Sequence, residues 1–514
     1  MCDYLDKMDT TIPFYHRFPS LENFKKQLDE KSVSFSEQSR KILVSQLEHQ
    51  YRNDSVSEST EENIQSLLKD TTFTITTGHQ LNLFTGPLYF LYKIISAINL
   101  TEALNRTYPE SHFVPVYWMA TEDHDFEEIN YFNFNGKKVA WERESGGAVG
   151  ELSTEGLEEV LEVLKTTLGG SSNAQQLLKL FKEGYVKHDN LADATRYIAN
   201  ELFKEYGLVI IDGNDAELKK AFVPYAEREL LENLSFERVT ETTERLLKNG
   251  YGEQVHPREI NLFYIKEGLR ERIIAEDGTF YVNDSDLSFD REAILEELRN
   301  HPERFSPNAL LRPLYQEAIL PNLGYIGGGG ELAYWFQLKD YFETVKVPFP
   351  ILLLRNSVLL VPENRLGKLS KLEVDITRLF QKQDELKTSY THQISNIEID
   401  FSVQRNHLKK QFEDLYTLAK ETDASFLGAV GAQEKKQLNG LDHLEKRLLK
   451  AQKRKLKDRL ERLTAIQDEL FPNQSLQERF MNFSEFYLDY GEKLVQELKK
   501  ELDPLSHEFT ILYL

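Results

Sequence analysis

Cysteine is almost absent: Cys2 is the only one in 514 residues, which excludes an internal disulfide and any cysteine-built metal cluster. Its terminal position makes it a poor nucleophile, so thiol catalysis by the chain itself is not expected. Long apolar runs are also missing. No stretch approaches the roughly 18–20 uninterrupted apolar residues of a membrane span. The opening MCDYLDKMDTTIPFYHRF has acids where an export signal carries positive charge. A cytoplasmic location with no membrane partner is expected. Positive charge is in deficit too: 62 Lys and Arg against 84 Asp and Glu leave a net charge of −22, which argues against a general nucleic-acid binder.

What is present reads as α/β. Four runs apolar on both faces, FTITT (73–77), FVPVYWMA (113–120), LVIID (208–212) and PILLL (350–354), have the pattern of buried parallel strands. Between the first two, Leu91, Ile94, Ile95, Ile98 and Leu104 fall at helical spacing over 88–105, giving strand, helix, strand. The expectation is a doubly wound parallel sheet within a core of 1–365. Insertions are expected at about 140–205, mostly helical and polar, and at 215–305, where 260–282 reads as short strands around an EDG turn.

After Pro362 the pattern becomes heptad-like. Ile394, Ile397, Phe401, Leu408, Leu415 and Leu418 mark one arm, and Leu441, Leu444, Leu448, Leu456, Leu460, Leu463 and Leu470 mark its return. The glycine-containing TDASFLGAVGA (422–432) reads as the turn of an antiparallel coiled-coil hairpin over 366–470, with 471–514 docking back on the core. The return arm is basic around Lys446, Arg447, Lys450, Lys453 and Arg454, a pattern that most often marks a solvated face. Two apolar seams outside the core suggest a homodimer surface.

Two loops at the carboxyl ends of successive strands carry the chemistry. In TTGHQLNLFTGPLY (76–89), Thr77 and Gly78 end a strand and Thr85, Gly86 and Pro87 open a helix, a pattern suited to an anion. The turn has neither a Gly-x-Gly-x-x-Gly nor a Walker spacing. His79 and Gln80 would project into the crevice, and Tyr89 follows. In the second loop, Glu122, Asp123, His124 and Asp125 offer an ammonium site, a general base or oxygen ligands for Mg²⁺. A third stretch, 306–339, holds Arg312, Tyr315 and four consecutive glycines that include Gly328 and Gly329, tolerated where backbone nears a ligand or takes positive φ. Arg355, Asn356 and Ser357 follow the last strand and would reach the same side.

Taken together, TTGHQLNLFTGPLYFLYK, VPVYWMATEDHDFEEIN and SPNALLRPLYQ with YIGGGGELAYWFQLK resemble the BshC family, the cysteine-adding enzymes of bacillithiol biosynthesis, across nearly the whole chain. The resemblance implies a Rossmann-like core, a coiled-coil homodimer, and a ligase that forms an amide between cysteine and glucosaminyl malate. It also implies a capacity for ATP or ADP, with Mg²⁺ compatible and no tightly bound cofactor. On that reading His79 steadies developing charge, and Asp123, His124 or Asp125 handles an amine. Lys93 and Arg312 hold carboxylates. Gly328, Gly329 and Arg355 to Ser357 are nucleotide candidates, with Tyr490 and Lys493 in LDYGEKL as a second nucleotide site. Two other readings fit the same residues: a class I nucleotidyltransferase-like enzyme with another substrate, and a non-catalytic coiled-coil assembly factor.

Overall fold

The computed structural model describes residues 1–53 and 55–514, in two units: Met1–Val358 with Glu478–Thr510, and Leu359–Gln477 with Ile511–Leu514. The first unit is built on a five-stranded sheet of β1 (Thr72–His79), β2 (His112–Met119), β3 (Val209–Asp212), β4 (Asn322–Gly327) and β5 (Ile351–Leu354). Its order is β5-β4-β1-β2-β3 with every pairing parallel, the doubly wound α/β arrangement. The chain winds outward from β1 to β3, then returns to the far side of β1 for β4 and β5. The winding therefore reverses between β1 and β4, where ligands of such sheets bind beyond the strand ends.

β1 is buried at every position, which explains why it carries threonine and apolar residues but no carboxylate, lysine or arginine. Its threonines are β-branched and suit a strand, and their hydroxyls still need partners. Thr74 and Thr76 donate to Asn322 Oδ1 at 3.2 and 2.9 Å, and Thr77 donates to the Ile326 carbonyl at 2.8 Å, so the polar atoms of β1 tie it to β4. Helix α1 (Tyr89–Thr107) crosses from β1 to β2. It packs Ala97, Leu100 and Leu104 against Phe73, Ile75, Phe113 and Leu323, each large side chain contributing roughly 1.5–3 kcal/mol by leaving water. Helix α2 (Arg312–Ile319) precedes β4, and α3 (Gly329–Phe336) follows it.

β4 is absent from the strands expected from sequence because NLGYIG is short and carries Asn and Gly, residues poor in strands. The glycine run is also corrected. None of Gly327 to Gly330 has positive φ; Gly327 closes β4, Gly328 (φ −75) caps α3, and the next two are helical. Small size is what Gly327 supplies, since a Cβ there would lie 3.1 Å from both Glu331 Cβ and Tyr325 Cε1.

The earlier insertion is helical, with Leu157–Leu168, Ser172–Phe181 and Leu191–Phe203. The later one holds an antiparallel sheet of Phe305–Pro307, Leu262–Lys266, Leu269–Glu276, Thr279–Val282 and Ser288–Phe289. The EDG turn closes its hairpin, with Asp277 and Gly278 at φ 48 and 80 as a tight two-residue turn requires.

In the second unit, α4 (Ser402–Ala419) and α5 (Ala424–Lys455) run antiparallel, and α6 (Lys457–Leu470) continues beyond a break at Leu456. Arg405 pairs with Asp442 and Glu445 near one end, and the Tyr416 hydroxyl bonds Glu434 at 2.8 Å near the other. Two expectations fail here. Ile394 ends a separate helix, Gln383–Ile394, and Ile397 lies between helices, so the first arm begins only at Ser402. The turn is 420–423 rather than 422–432: Asp423 accepts from the Ser425 and Phe426 amides and starts α5, which absorbs the glycines. Gly431 has a packing reason to be there, because a Cβ would lie 3.2 Å from the Tyr416 hydroxyl.

Candidate functional site

A crevice of about 340 Å³ opens at the carboxyl ends of β1, β2 and β4. Gly78, His79 and Gln80 enter it from β1, and Glu122 and Asp123 from the loop after β2. Tyr89 and Lys93 come from α1, Arg312 from α2, and Tyr325 and Glu331 from β4 and α3. The inserted antiparallel sheet adds Arg270.

Three cations face this space and differ in how their charge is met. Lys93 is 3% exposed; its ammonium donates to the Gly78 carbonyl at 2.8 Å and pairs with Glu331. Burial pushes the Lys93 ammonium below its ordinary pKa, and the Glu331 carboxylate opposes that push. Burial raises the Glu331 carboxyl in turn, but Lys93 and the Tyr325 hydroxyl outweigh it and hold the group ionised. Arg312 has no carboxylate within ion-pair distance among the described residues. Its guanidinium donates to Gln316 Oε1 at 2.9 Å, approaches the Tyr334 hydroxyl at 3.5 Å, and lies 5.6 and 5.9 Å from the Tyr325 and Trp118 ring centres. Arg270 stacks on Phe263 at 3.9 Å, donates to His124 Nδ1 at 2.8 Å, and also forms no ion pair among the described residues. Two guanidiniums outside ion-pair distance of any carboxylate among the described residues make the crevice a site for an oxyanion, carboxylate or phosphate alike.

The acidic wall is Asp123. Burial would raise its carboxyl, but hydrogen bonds from His124 and Gln80 and the charge of Arg270 carry it well below the usual carboxylate range. The Gln80 amide reaches it at 2.9 Å and the His124 backbone amide at 2.8 Å. His79 is neutral: burial, then the nearby Lys93 charge, lower its pKa well below the ordinary value. It hydrogen-bonds the Thr85 carbonyl while Nε2 has no partner, so Nδ1 is the donor and Nε2 keeps its lone pair.

The other expected residues are placed elsewhere. Thr77 is buried in the β1–β4 contact, and Thr85 and Gly86 lie under residue Asn482, whose amide donates to the Phe84 and Gly86 carbonyls at 2.8 and 2.6 Å. The start of α1 is not open to an anion: the Leu88 amide donates to Met481 at 2.8 Å, and the Phe90 and Leu91 amides turn back on Pro87 and Leu88. His124 and Asp125 are exposed outside the crevice. Glu122 lines it, but its carboxylate is paired at 2.5 Å with the buried Lys219. Tyr315 is wholly buried, donates to the Gly213 carbonyl at 2.6 Å and supports Trp118 edge-on.

The nucleotide candidates are likewise occupied. The Gly328 amide is capped by Glu331 Oε1 at 3.3 Å, and a Cβ on Gly329 would meet Met1. Arg355 is paired with the buried Glu478 at 2.7 Å, Ser357 bonds the same carboxylate, and Asn356 joins Ser96 to the Asp503 carbonyl. Tyr490 ends the helix Phe483–Tyr490, and exposed Lys493 opens the next, both outside the crevice. The phosphates of a nucleotide thus find no open helix start here, and these residues do not fit that group. Among the described residues no cluster of three His, Cys, Asp or Glu could hold a metal. Sequence reasoning missed Arg270, whose only local signal was an Arg in a charged strand, LRERIIAE.

Residues 1–356 match the family model described as bacillithiol biosynthesis BshC, N-terminal Rossmann-like domain, and 358–514 match its C-terminal coiled-coil domain. Relatives named "Putative cysteine ligase BshC" include one from Flavobacterium johnsoniae, 58% identical over 99% of this chain and 96% of that protein. Another, from Christiangramia forsetii, is 57% identical over 99% and 96%. A third, from Cytophaga hutchinsonii, is 38% identical over 98% and 94%.

Proposed function

The chain belongs to the BshC family of bacillithiol biosynthesis, and from that membership we propose that it is a carbon–nitrogen ligase joining the carboxyl group of cysteine to the amine of glucosaminyl malate. One observation carries the reading: a guanidinium without a counterion, Arg312, shares a crevice with a carboxylate held ionised, Asp123. Such a pair of opposite charges suits a reaction whose partners are a carboxyl and an amine.

Arg312 holds the carboxyl of cysteine by a forked hydrogen bond, and Asp123 attracts the incoming amine as its ammonium and orients it. Once the ammonium has released that proton to solvent and the carboxyl carries a leaving group, the nitrogen lone pair attacks the carbonyl carbon. The oxyanion that forms lies against Arg312, where a fixed cation stabilises the transition state more than the ground state. The nitrogen passes a proton to the Nε2 lone pair of His79, which is suited to it because the ring is neutral and held from Nδ1. The carbonyl re-forms as the leaving group departs with its bonding pair. The activation itself is uphill in water. ATP or ADP with Mg²⁺ remains in the proposal as its source, with no residue of the crevice assigned to it.

We assign the chain to the cytoplasm as a homodimer through the coiled coil. Leu415, Leu418, Phe426, Leu427 and Leu444 are exposed along the hairpin, which supports the dimer, and no helix among the described residues is long and apolar enough to cross a membrane. The test is direct. Full-length protein incubated with cysteine, glucosaminyl malate, ATP and Mg²⁺ yields the amide-linked thiol by mass spectrometry. Absence of that product, with an active relative as control, rejects the reading.

A further inference from the structure

A second crevice of about 310 Å³ adjoins the first. The two share Gln80 and Tyr89 and differ in everything else: Asp123 and Arg312 line the first, while Glu128 and Arg479 line the second. Gln80 is the partition. Its single amide nitrogen donates to Asp123 Oδ2 at 2.9 Å on one side and to Glu128 Oε2 at 3.0 Å on the other. A carboxylate therefore stands on each side of one side chain, and an ammonium crossing there meets both.

The rest of the second crevice has the chemistry of a hydroxyl-rich ligand. Asn82 and Asn133 line it with Gln80, three amides that can both give and take hydrogen bonds. Asn82 is 7% exposed and its Oδ1 has no donor, a buried acceptor that awaits a hydroxyl or N–H. The half-buried Tyr131 ring also lines it, with the Lys138 ammonium 4.0 Å from its centre on one face and the other face left for the C–H face of a pyranose. At the rim, exposed Arg479 forms no ion pair among the described residues. At roughly the lower end of small-molecule pocket sizes, the volume suits one sugar-sized group.

We propose that this second crevice seats the sugar half of the acceptor, with the acidic end toward Arg479 and the amine passed across Gln80 to the carboxyl held by Arg312. The proposal rests on the ligase reading above and extends it: the donor and acceptor enter by separate crevices and meet at one partition.

The test uses the full chain and glucosaminyl malate alone, by titration calorimetry, together with turnover by mass spectrometry. Tyr131→Ala and Arg479→Gln weaken acceptor binding tenfold or more and raise its KM in step, while the KM for cysteine stays within twofold. Arg479 is exposed, so its variant keeps the fold. Acceptor affinity and KM unchanged in both variants would overturn the subsite, whereas the ligase reading would stand on wild-type turnover. Acceptor binding that the variants weaken, with no amide product from wild type, keeps the subsite and removes the ligase reading. A wild-type chain that binds no acceptor overturns the subsite.

Discussion

Replacing Arg312 by Met separates binding from folding. In the folded chain burial disfavours the half-buried guanidinium, but its neighbours, Glu331 among them, outweigh burial and hold its pKa above the ordinary value, so its loss relieves no penalty. The loss strips Gln316 Oε1 of its 2.9 Å partner, and an orphaned buried acceptor costs about 1–3 kcal/mol. Folding should therefore lose no more than about that 1–3 kcal/mol. Binding behaves differently. A forked, charge-assisted bond to a carboxylate supplies roughly 2–4 kcal/mol, so kcat/KM for cysteine falls about 30- to 1,000-fold. Arg312→Lys keeps the charge without the fork and should fall between. Thermal melts of both variants alongside steady-state rates of thiol formation decide the matter. A melting temperature lowered by about 8 °C or more with kcat/KM within threefold of wild type would sink the reasoning, because Arg312 would then be a structural residue.

Glu331→Gln leaves the Lys93 ammonium buried without its counter-charge and should destabilise the fold by roughly 3–5 kcal/mol in denaturant melts; no loss would mean that Lys93 is neutral already. His79→Gln keeps shape but removes the Nε2 lone pair. Wild-type kcat should fall with acidity in two steps, the upper from the ammonium that must lose its proton and the lower, below pH 6.5 since burial lowers the His79 pKa, from the ring; only the lower step should vanish, with most of the rate, in the variant. Glu485 is pushed up to about 7 by burial, against one backbone hydrogen bond. Its folded form binds more protons than the unfolded chain between the ordinary carboxylate value and about 7, so stability falls as pH rises across that window. Glu485→Gln should remove that slope and raise stability above pH 7 by about 1–3 kcal/mol, as read from pH-series melts. Leu418→Lys with Leu444→Lys should shift the chain toward monomer in analytical ultracentrifugation.

Much of the framework was legible because it depends on local pattern. Strands buried on both faces leave uninterrupted apolar and threonine runs, and all four expected strands are in the sheet. β4 was hidden because its burial comes from neighbours in space, while its own residues, Asn322, Gly324 and Gly327, weaken any strand signal. The coiled-coil turn was misplaced for a related reason: Gly428 and Gly431 look like a break in sequence, yet a glycine in a helix costs only about 1 kcal/mol, and at Gly431 close contact with Tyr416 offsets it. At the site, residues at or just beyond a strand's carboxyl end, such as His79 and Asp123, were legible from position. Arg270 was not, because it comes from an insertion whose packing no spacing reveals.

The same contrast explains how the crevice handles charge. The sequence offers the start of α1 to an anion, and in the fold it is closed by the Met481 carbonyl, while the start of α3 is capped by the chain's own Glu331. A helix start attracts anions of many shapes, because its field is broad. With both closed, recognition passes to the side chains of Arg312 and Arg270, whose planar forks match two coplanar oxygens. Acetate should therefore compete with cysteine through Arg312, and the competition should weaken in Arg312→Met. Steady-state inhibition by acetate in the two proteins would read that dependence, and equal inhibition of wild type and Arg312→Met would show that a group other than this guanidinium governs the site.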